Sequence, residues 1–388
     1  MTWRGVGVVS GWQVTASLCF YAVFAATASI RGTFGVSRTL VGVALTTTLA
    51  SYTVFLFVAG AAVDGFGERP TMIAGLVGLG VGMVSVALAP SYALLLVALV
   101  VVGGAYATAM PATNRAVLVV APEGRRNLAI NVKQVGVTVG SGLGAVVVTL
   151  AAGTRFGWQV GFAAAAGLTA CVAVVFAAVY RGRDGSGVLT PPDVRGLAGV
   201  DGYAPLVGAG FFLGAAVFTT TGYVVLHLTE SVGTAAAFAG AVLATLQVTG
   251  SAGRLVGGSV ADRLSGSDVG AAARVLVAQS LLACVAFGGV VAADTPLGGA
   301  VAFGVLGLFV LGFPGVYYAC LTALVPDERV GAATAGGQTA LNLGGLAAPP
   351  VFGYLADTVS YDAGWTVLAG TTLVAGLLLV GLARDDDA

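Results

Sequence analysis

Charged side chains are scarce in this sequence. They make up only 9% of the 388 residues, whereas a soluble globular chain carries about 25%. Basic and acidic residues are equal in number, 17 of each, so there is no strong positive field that would attract nucleic acid. Apolar residues are abundant instead, at 57%. We therefore expect most of the protein surface to face lipid, and we expect no nucleic-acid partner.

Histidine and cysteine are also few. His227 is the single histidine, and the four cysteines lie apart from one another inside apolar runs, at Cys19, Cys171, Cys284 and Cys320. None of them forms a CxxC pair or stands at metal-ligand spacing from the histidine, so we predict no metal and no cofactor. An enzyme would need a catalytic cluster in one cavity, and one histidine with carboxylates confined to loops does not supply it. The chain is therefore predicted not to be an enzyme.

Long runs without charge predict membrane-spanning helices. Crossing about 30 Å of hydrocarbon takes roughly 20 helical residues. The charge-free runs are 5–30, 39–63, 70–114, 134–154, 156–180, 202–229, 231–253, 275–293, 295–326, 330–356 and 363–383. The run 70–114 is 45 residues long and contains the turn signal Pro90-Ser91, so it is divided into two spans. The prediction is an all-α integral membrane protein with twelve transmembrane helices.

Basic residues predict the orientation of these helices, because Lys and Arg in short loops remain in the cytoplasm. With both termini inside, eleven basic residues fall on the inner side: Arg4, Arg69, Arg125, Arg126, Arg181, Arg183, Arg195, Arg263, Arg274, Arg329 and Arg384. Only three fall outside: Arg31, Arg38 and Arg155. We therefore expect a protein of the cell (cytoplasmic) membrane with both termini in the cytoplasm.

A polar segment divides the spans into two sets of six. The residues from Arg181 to Asp201 are rich in Gly, Pro and charge, which is typical of a linker. We predict an N-terminal six-helix bundle over 1–180, a cytoplasmic linker over 181–202 and a C-terminal six-helix bundle over 203–388.

The two halves repeat three short motifs in the same order. The matching pairs are Gly60-x-x-x-Asp64 with Gly258-x-x-x-Asp262, Pro122-Glu123-x-Arg125 with Pro326-Asp327-x-Arg329, and Gly157-Trp158 with Gly364-Trp365. Their offsets are nearly constant, at 198, 204 and 207 residues, which predicts pseudo-symmetric halves. Repeated halves that rock about a substrate site near the bilayer midplane are the common plan of secondary transporters.

The segment from Gly60 to Arg69, GAAVDGFGER, resembles the loop signature of the major facilitator superfamily. The segment from Gly258 to Arg263, GSVADR, resembles its second-half copy. This resemblance covers the whole chain and implies a twelve-helix transporter of small solutes that functions as a monomer in the lipid bilayer. The sequence departs from the signature at Gly65 and Glu68, where basic residues are usual, and at Ser265, where glycine is usual.

The resemblance also implies a conformational latch. In the family, the first-half Asp lies at the amino end of the eleventh span, where the helix dipole favours negative charge. Asp64 would accordingly lie near Gly331, and opening inward would break that contact. The latch residues are Gly60, Asp64, Arg69, Gly258, Asp262 and Arg263. The alternative is that Asp64 and Asp262 only cap loops.

Two cations within spans are candidates for substrate binding, because ionisable groups in a membrane are costly. These are Arg254 in the eighth span and Lys133 in the fifth; the alternative for each is a side chain that reaches to the interface, as we expect of Arg115. Arg254 resembles the eighth-span arginine that binds carboxylate in monocarboxylate and oxalate carriers. The hypothesis is a small organic anion held by Arg254 as a carboxylate clamp, with a drug or metabolite exporter of the same fold as the alternative.

Other polar groups lie in spans that line the cavity in this family. The tyrosines are Tyr21, Tyr106, Tyr223, Tyr317 and Tyr318, of which two or three are expected to point inward. His227 lies beside Glu230 and is either a proton gate or, preferably, an interfacial residue. Glycine stripes at Gly136, Gly140 and Gly144, and at Gly210 and Gly214, predict close helix packing.

Overall fold

The computed structural model describes residues 3–122, 126–182, 195–197, 199–326 and 329–384, without the side chains of residues 64, 126–128, 131, 195 and 331. In this part of the chain all regular elements are helices, fifteen α-helices and one short 3₁₀ turn at Arg195–Leu197. The predicted all-α fold class is confirmed.

The helices follow one another with short connections. Those of the first half are α1 (Trp3–Ala25), α2 (Thr27–Phe34), α3 (Arg38–Phe66), α4 (Glu68–Ala87), α5 (Tyr92–Tyr106), α6 (Ala109–Val120), α7 (Arg126–Ala152) and α8 (Gln159–Val179). Those of the second half are α9 (Tyr203–Glu230), α10 (Ala236–Ala261), α11 (Asp268–Val291), α12 (Pro296–Val310), α13 (Pro314–Ala323), α14 (Val330–Thr358) and α15 (Tyr361–Arg384).

Three of the predicted spans are interrupted helices: α1 with α2, α5 with α6, and α12 with α13. Between α12 and α13 the chain restarts at Pro314, which occupies the first turn of a helix without loss because it has no N–H to satisfy. Counting each pair as one span gives twelve segments, as predicted. Eleven spans among the described residues are long and apolar enough to cross a membrane. The remaining segment is α14, whose 29 residues include two prolines.

The chain forms two compact units, which we describe separately. The first contains Met1–Gly35, Thr47–Pro191 and Ala236–Ala244; the second contains Val36–Thr46, Pro192–Ala235 and Thr245–Ala388. The first residues of α3 thus belong to the second unit, and the first residues of α10 belong to the first unit. Most of the segment predicted as a linker lies outside the described residues, so the predicted boundaries remain a prediction.

Helix pairing is the same in both units. In the first unit α1 packs along α7 and α4 along α8; in the second unit α9 packs along α14 and α11 along α15. In both units these are spans one with five and three with six, counted from the start of each half. The equivalent pairing is the structural counterpart of the sequence repeats.

The glycine stripes lie at the closest of these helix contacts. A Cβ atom on Gly140 of α7 would collide with the backbone carbonyl oxygen of Val14 in α1. A Cβ atom on Gly214 of α9 would likewise collide with the carbonyl oxygen of Leu341 in α14. Only glycine permits such an approach, and the predicted close packing is confirmed.

Candidate functional site

Arg254 lies on α10 beside the break between α12 and α13. Its half-buried side chain donates from Nε to the carbonyl oxygen of Leu311, at 2.9 Å. Leu311 ends α12, where backbone carbonyls have no intrahelical donor. The preceding residue, Gly253, has no side chain and therefore allows α10 to contact the backbone of Leu308. The sequence around Arg254 thus positions a guanidinium group at a helix interruption within the second unit.

Lys133 lies on α7 in the first unit and is fully buried. Its ammonium group donates to Asn114 Oδ1 on α6, at 2.9 Å, instead of extending to a polar surface. No ion pair to Lys133 is found among the described residues. A buried ammonium whose observed partner is a neutral amide is poorly compensated for the loss of water.

A buried polar network surrounds Tyr106 in the first unit. The Tyr106 hydroxyl lies 3.2 Å from Ser17 Oγ, and Ser17 Oγ accepts from Gln13 Nε2 at 3.0 Å. Thr113 Oγ1 donates to Gln13 Oε1 at 3.1 Å. This network connects α1 with α5 and α6. Sequence analysis identified Tyr106 but missed Gln13, although an amide in the middle of the first span is a costly and therefore informative residue.

Phe20 contacts both tyrosines that were predicted to line the first-half cavity. Its ring stacks on Tyr106 at a centroid distance of 4.2 Å and meets Tyr21 edge to face at 5.2 Å. Tyr21 is half-buried, whereas Tyr106 is buried.

A second polar row lies on α13 and α14. Tyr318 hydrogen-bonds through its hydroxyl to Gln338 Oε1, and Gln338 Nε2 donates to Asn342 Oδ1 at 2.7 Å. Asn342 is fully buried, and its Nδ2 has no partner among the described residues. Gln338 and Asn342 were not predicted as site residues, although their spacing of four residues places them on one helix face.

Two of the predicted cavity tyrosines instead connect helices. The buried Tyr317 hydroxyl donates to the Gly337 carbonyl at 3.2 Å. The Tyr223 hydroxyl lies 2.7 Å from the carbonyl oxygen of Arg38 and 3.0 Å from that of Pro349. Tyr223 therefore joins α9 to the start of α3 and to α14.

Arg69, one of the predicted latch residues, binds the end of α8. Its Nε donates to the carbonyl of Tyr180 and its Nη2 to that of Ala177, each at 2.7 Å. A cation at these terminal carbonyls complements the helix dipole. The preceding Gly67 has φ 90°, a conformation that residues with a side chain rarely adopt, which explains a glycine at this position of the signature.

Glu68, which departs from the family signature, is fully buried. Arg115 Nε forms an ion pair with Glu68 Oε2 at 3.1 Å, and the Tyr180 hydroxyl donates to Oε1 at 3.2 Å. The Arg115 side chain is 30% exposed. Within the first unit a buried carboxylate holds Arg115 against α4, and the expected place of Arg115 at the membrane interface stays a prediction.

In the described part of the chain, the other predicted latch residues do not form the predicted contact. Gly60 and Gly258 have open space where a Cβ atom would be, and Asp262 and Arg263 are exposed at the end of α10. The side chain of Asp64 and the surroundings of Gly331 lie outside the described residues. The contact between Asp64 and the eleventh span remains a prediction.

Sequence analysis missed an ion cluster at the opposite end of α3. We define the Arg38 cluster as Arg38, Glu230, Asp357 and Tyr361. Arg38 Nη2 lies 2.8 Å from Glu230 Oε2 and Arg38 Nη1 lies 3.4 Å from Asp357 Oδ1. Arg38 had been counted only as an outer basic residue, because its partners are more than 190 residues away in the chain.

His227, the histidine considered as a proton gate, lies one helical turn before Glu230 and is buried. The rings of Phe303, Tyr361 and Trp365 surround it at centroid distances of 5.9, 5.2 and 5.5 Å. His227 therefore lies in an aromatic cage next to the Arg38 cluster.

Many apolar spans, a duplicated helix arrangement and cations within the spans are together typical of a polytopic membrane transporter. A sequence model of the Major Facilitator Superfamily matches residues 10–264 and 206–388. The chain belongs to the Major Facilitator Superfamily, and it transports solutes rather than catalysing a reaction.

Solved structures share the fold. A bacterial homolog of the human lysosomal transporter Spinster, in an inward-facing and occupied conformation, has a TM-score of 0.75 and 14% identity, over 97% of this chain and 94% of that chain. The unoccupied form of such a homolog has a TM-score of 0.75 and 15% identity, over 98% and 95%. A POT family transporter in complex with 5-aminolevulinic acid has a TM-score of 0.82 and 11% identity, over 99% and 97%. Among curated proteins no match is found.

Proposed function

We propose that this superfamily member carries a small organic anion by alternating access. The observation that carries the proposal is Lys133, a fully buried ammonium group whose observed hydrogen bond goes to the neutral side chain of Asn114. A bound anion would offset the cost of that buried charge. Lys133 is accordingly assigned to substrate binding.

Arg254 is the second proposed substrate residue. A guanidinium group presents a planar fork that matches a carboxylate, and its bidentate bonds are stronger than neutral hydrogen bonds. The Leu311 carbonyl holds Nε of Arg254, which orients the group at the break between α12 and α13. The likeness to the eighth-span arginine of carboxylate carriers supports this role.

Tyr106 is a further proposed substrate residue, in the first unit. Tyr106 belongs to a buried network with Ser17 and Gln13, which gives it the polar surroundings of a binding wall. Tyr223 and Tyr317 already donate to backbone carbonyls and are assigned to helix contacts instead. A POT family transporter of the same fold forms a complex with 5-aminolevulinic acid, a small molecule that carries a carboxylate group, which is compatible with this class of solute.

The proposed test is a ligand-stabilisation screen of the purified protein with lactate and oxalate. We expect both the wild-type protein and Arg155→Ala, which removes an exposed arginine, to melt at a higher temperature when either ligand is present. Arg254→Ala and Lys133→Gln should weaken the apparent affinity by about tenfold or more, because each loses a charge-assisted hydrogen bond worth about 1.5–3 kcal/mol.

The results of this screen distinguish an organic anion from the substrates of a drug or metabolite exporter. Equal stabilisation of Arg254→Ala and Arg155→Ala by carboxylates would reject the assigned site. Stabilisation by apolar cations and not by carboxylates would reject the anion and favour an exporter of drugs or metabolites.

A further inference from the structure

Asp357 caps the start of α3 from a different helix. Its Oδ1 accepts from the backbone N–H of Arg38 at 3.0 Å, and its Oδ2 accepts from the backbone N–H of Thr39 at 2.9 Å. The Thr39 hydroxyl donates to the same oxygen at 2.8 Å. The first N–H groups of a helix have no intrahelical acceptor and carry the positive end of the dipole. Asp357, in the last turn of α14, satisfies them with a negative charge.

The Arg38 side chain extends this contact to two further helices. Its Nε donates to Glu230 Oε2 of α9 at 2.8 Å and to the Tyr361 hydroxyl of α15 at 3.0 Å. The Tyr361 hydroxyl donates in turn to Glu230 at 2.9 Å. One cation therefore holds two carboxylates at the start of α3, and all three charged side chains are 20–24% exposed.

Polar backbone contacts continue for two turns along α3. Pro350 has no N–H, so the carbonyl of Leu346 lacks its donor within α14. The Thr46 hydroxyl supplies that donor at 2.7 Å. Between these ends, Gly42 lies against the backbone at Pro349, where a Cβ atom would collide with the carbonyl. The start of α3 is thus held by hydrogen bonds and charge in addition to its buried apolar side chains, such as Val41 and Leu45.

The two helices are alike in length and in the position of their acidic residues. Both α3 and α14 have 29 residues, and each carries an aspartate in its last turn, Asp64 and Asp357 respectively. At the end described here, the Asp of α14 caps the start of α3.

We propose that Asp357 is a positioning residue for transport: a carboxylate latch that holds the start of α3 against α14 and opens and re-forms in each cycle. Water can replace the bonds of a partly exposed ionic cluster, so this contact can open and re-form, whereas the backbone contacts of the glycine stripes remain. The proposal rests on alternating access in the proposed function and does not depend on an anionic substrate.

The test measures how readily the start of α3 separates from α14. Val41 is fully buried on the same face of α3 as Arg38, and Val41→Cys changes its volume little. This variant is made in a protein with Cys171→Ser and Cys284→Ser, because the two remaining cysteines are buried. A membrane-impermeant maleimide is then added to the purified protein without any solute, and the labelling rate is compared for Asp357→Asn and for Asp362→Asn. Asp362 is the matched control, an exposed carboxylate at the start of α15.

We expect Asp357→Asn to label about tenfold faster than both the parent and the control, since it loses a charge-assisted cap. Thr39→Val keeps the carboxylate and removes one of its four donor groups, and it should label about twofold faster. If Asp357→Asn does not accumulate, the labelling rate of Thr39→Val by itself tests the latch. Unchanged labelling in the accumulated variants would overturn the latch.

The two proposals fail separately. No stabilisation by lactate or oxalate would reject the anion and leave faster labelling of Asp357→Asn unaffected. Unchanged labelling would reject the latch and leave the ligand screen unaffected.

Discussion

At the residue scale, Glu68 illustrates how a membrane protein retains a buried charge. The carboxylate is fully buried at the start of α4 and contacts Arg115 and the Tyr180 hydroxyl. Arg69, the next residue, binds the last carbonyls of α8. These contacts join the ends of α4, α6 and α8. Glu68 therefore departs from the family signature but has a structural role of its own at this position.

Removing Arg115 should be more damaging than removing the charge of Glu68. Arg115→Ala leaves a buried carboxylate without its cation, and we expect a loss of stability on the order of 2–3 kcal/mol. Glu68→Gln removes the charge itself and should cost less, and the double variant should recover part of the Arg115→Ala loss. Thermal unfolding of the purified variants checks this order. A smaller loss for Arg115→Ala than for Glu68→Gln would contradict the role of the pair.

At the element scale, bare glycine faces determine which helices lie in contact. In α7, Gly140 meets the backbone of Val14, and Gly144 is so close to α1 that a Cβ atom would lie 2.7 Å from the Leu18 carbonyl oxygen. Association of helices in lipid depends on close van der Waals contact, since burial of apolar surface adds little there. The contact between α1 and α7 therefore depends on the absence of side chains.

Gly140→Val should separate α1 from α7. The added atoms collide with the Val14 backbone, and overpacking of this kind costs about 1–3 kcal/mol. Gly167→Val in the middle of α8 is the matched control, because that glycine is exposed and has open space around its Cβ position. The two variants are compared by heating the purified proteins and measuring the fraction that remains monodisperse. An equal loss of monodisperse protein in both variants would show that helix propensity, and not the contact with α1, determines the loss of stability.

At the scale of the whole molecule, each of the two units pairs the same spans, and the chain belongs to a superfamily whose transporters share this architecture. The basic residues are distributed unequally between the two sets of loops, eleven against three. That asymmetry predicts the orientation in the cell membrane, which the arrangement of helices within each unit does not by itself define.

Both termini should lie in the cytoplasm. Short epitope tags placed before residue 1 and after residue 388 should be protected from protease in right-side-out membrane vesicles and become accessible in inverted ones. A tag between Thr154 and Phe156, in the loop that carries Arg155, should give the reverse pattern. Cleavage of either terminal tag in right-side-out vesicles would contradict the predicted orientation.

The sequence by itself determined the class, the span count and the family. Spanning a bilayer requires about 20 consecutive apolar residues, so each span can be recognised from its own composition. The repeated segments at Gly60 and Gly258 identified the superfamily in the same local way. The glycine stripes were predictable too, because small residues four apart share one helix face.

Only the tertiary structure decided which polar groups meet. Lys133 faces Asn114, Glu68 faces Arg115, and Asp357 caps a helix that begins 319 residues earlier in the chain. Such pairs depend on helix rotation and on breaks such as the one at Leu311, which no local pattern specifies. Membrane insertion depends on the local composition of the chain, whereas pairing of buried charges depends on packing between segments that are distant in sequence.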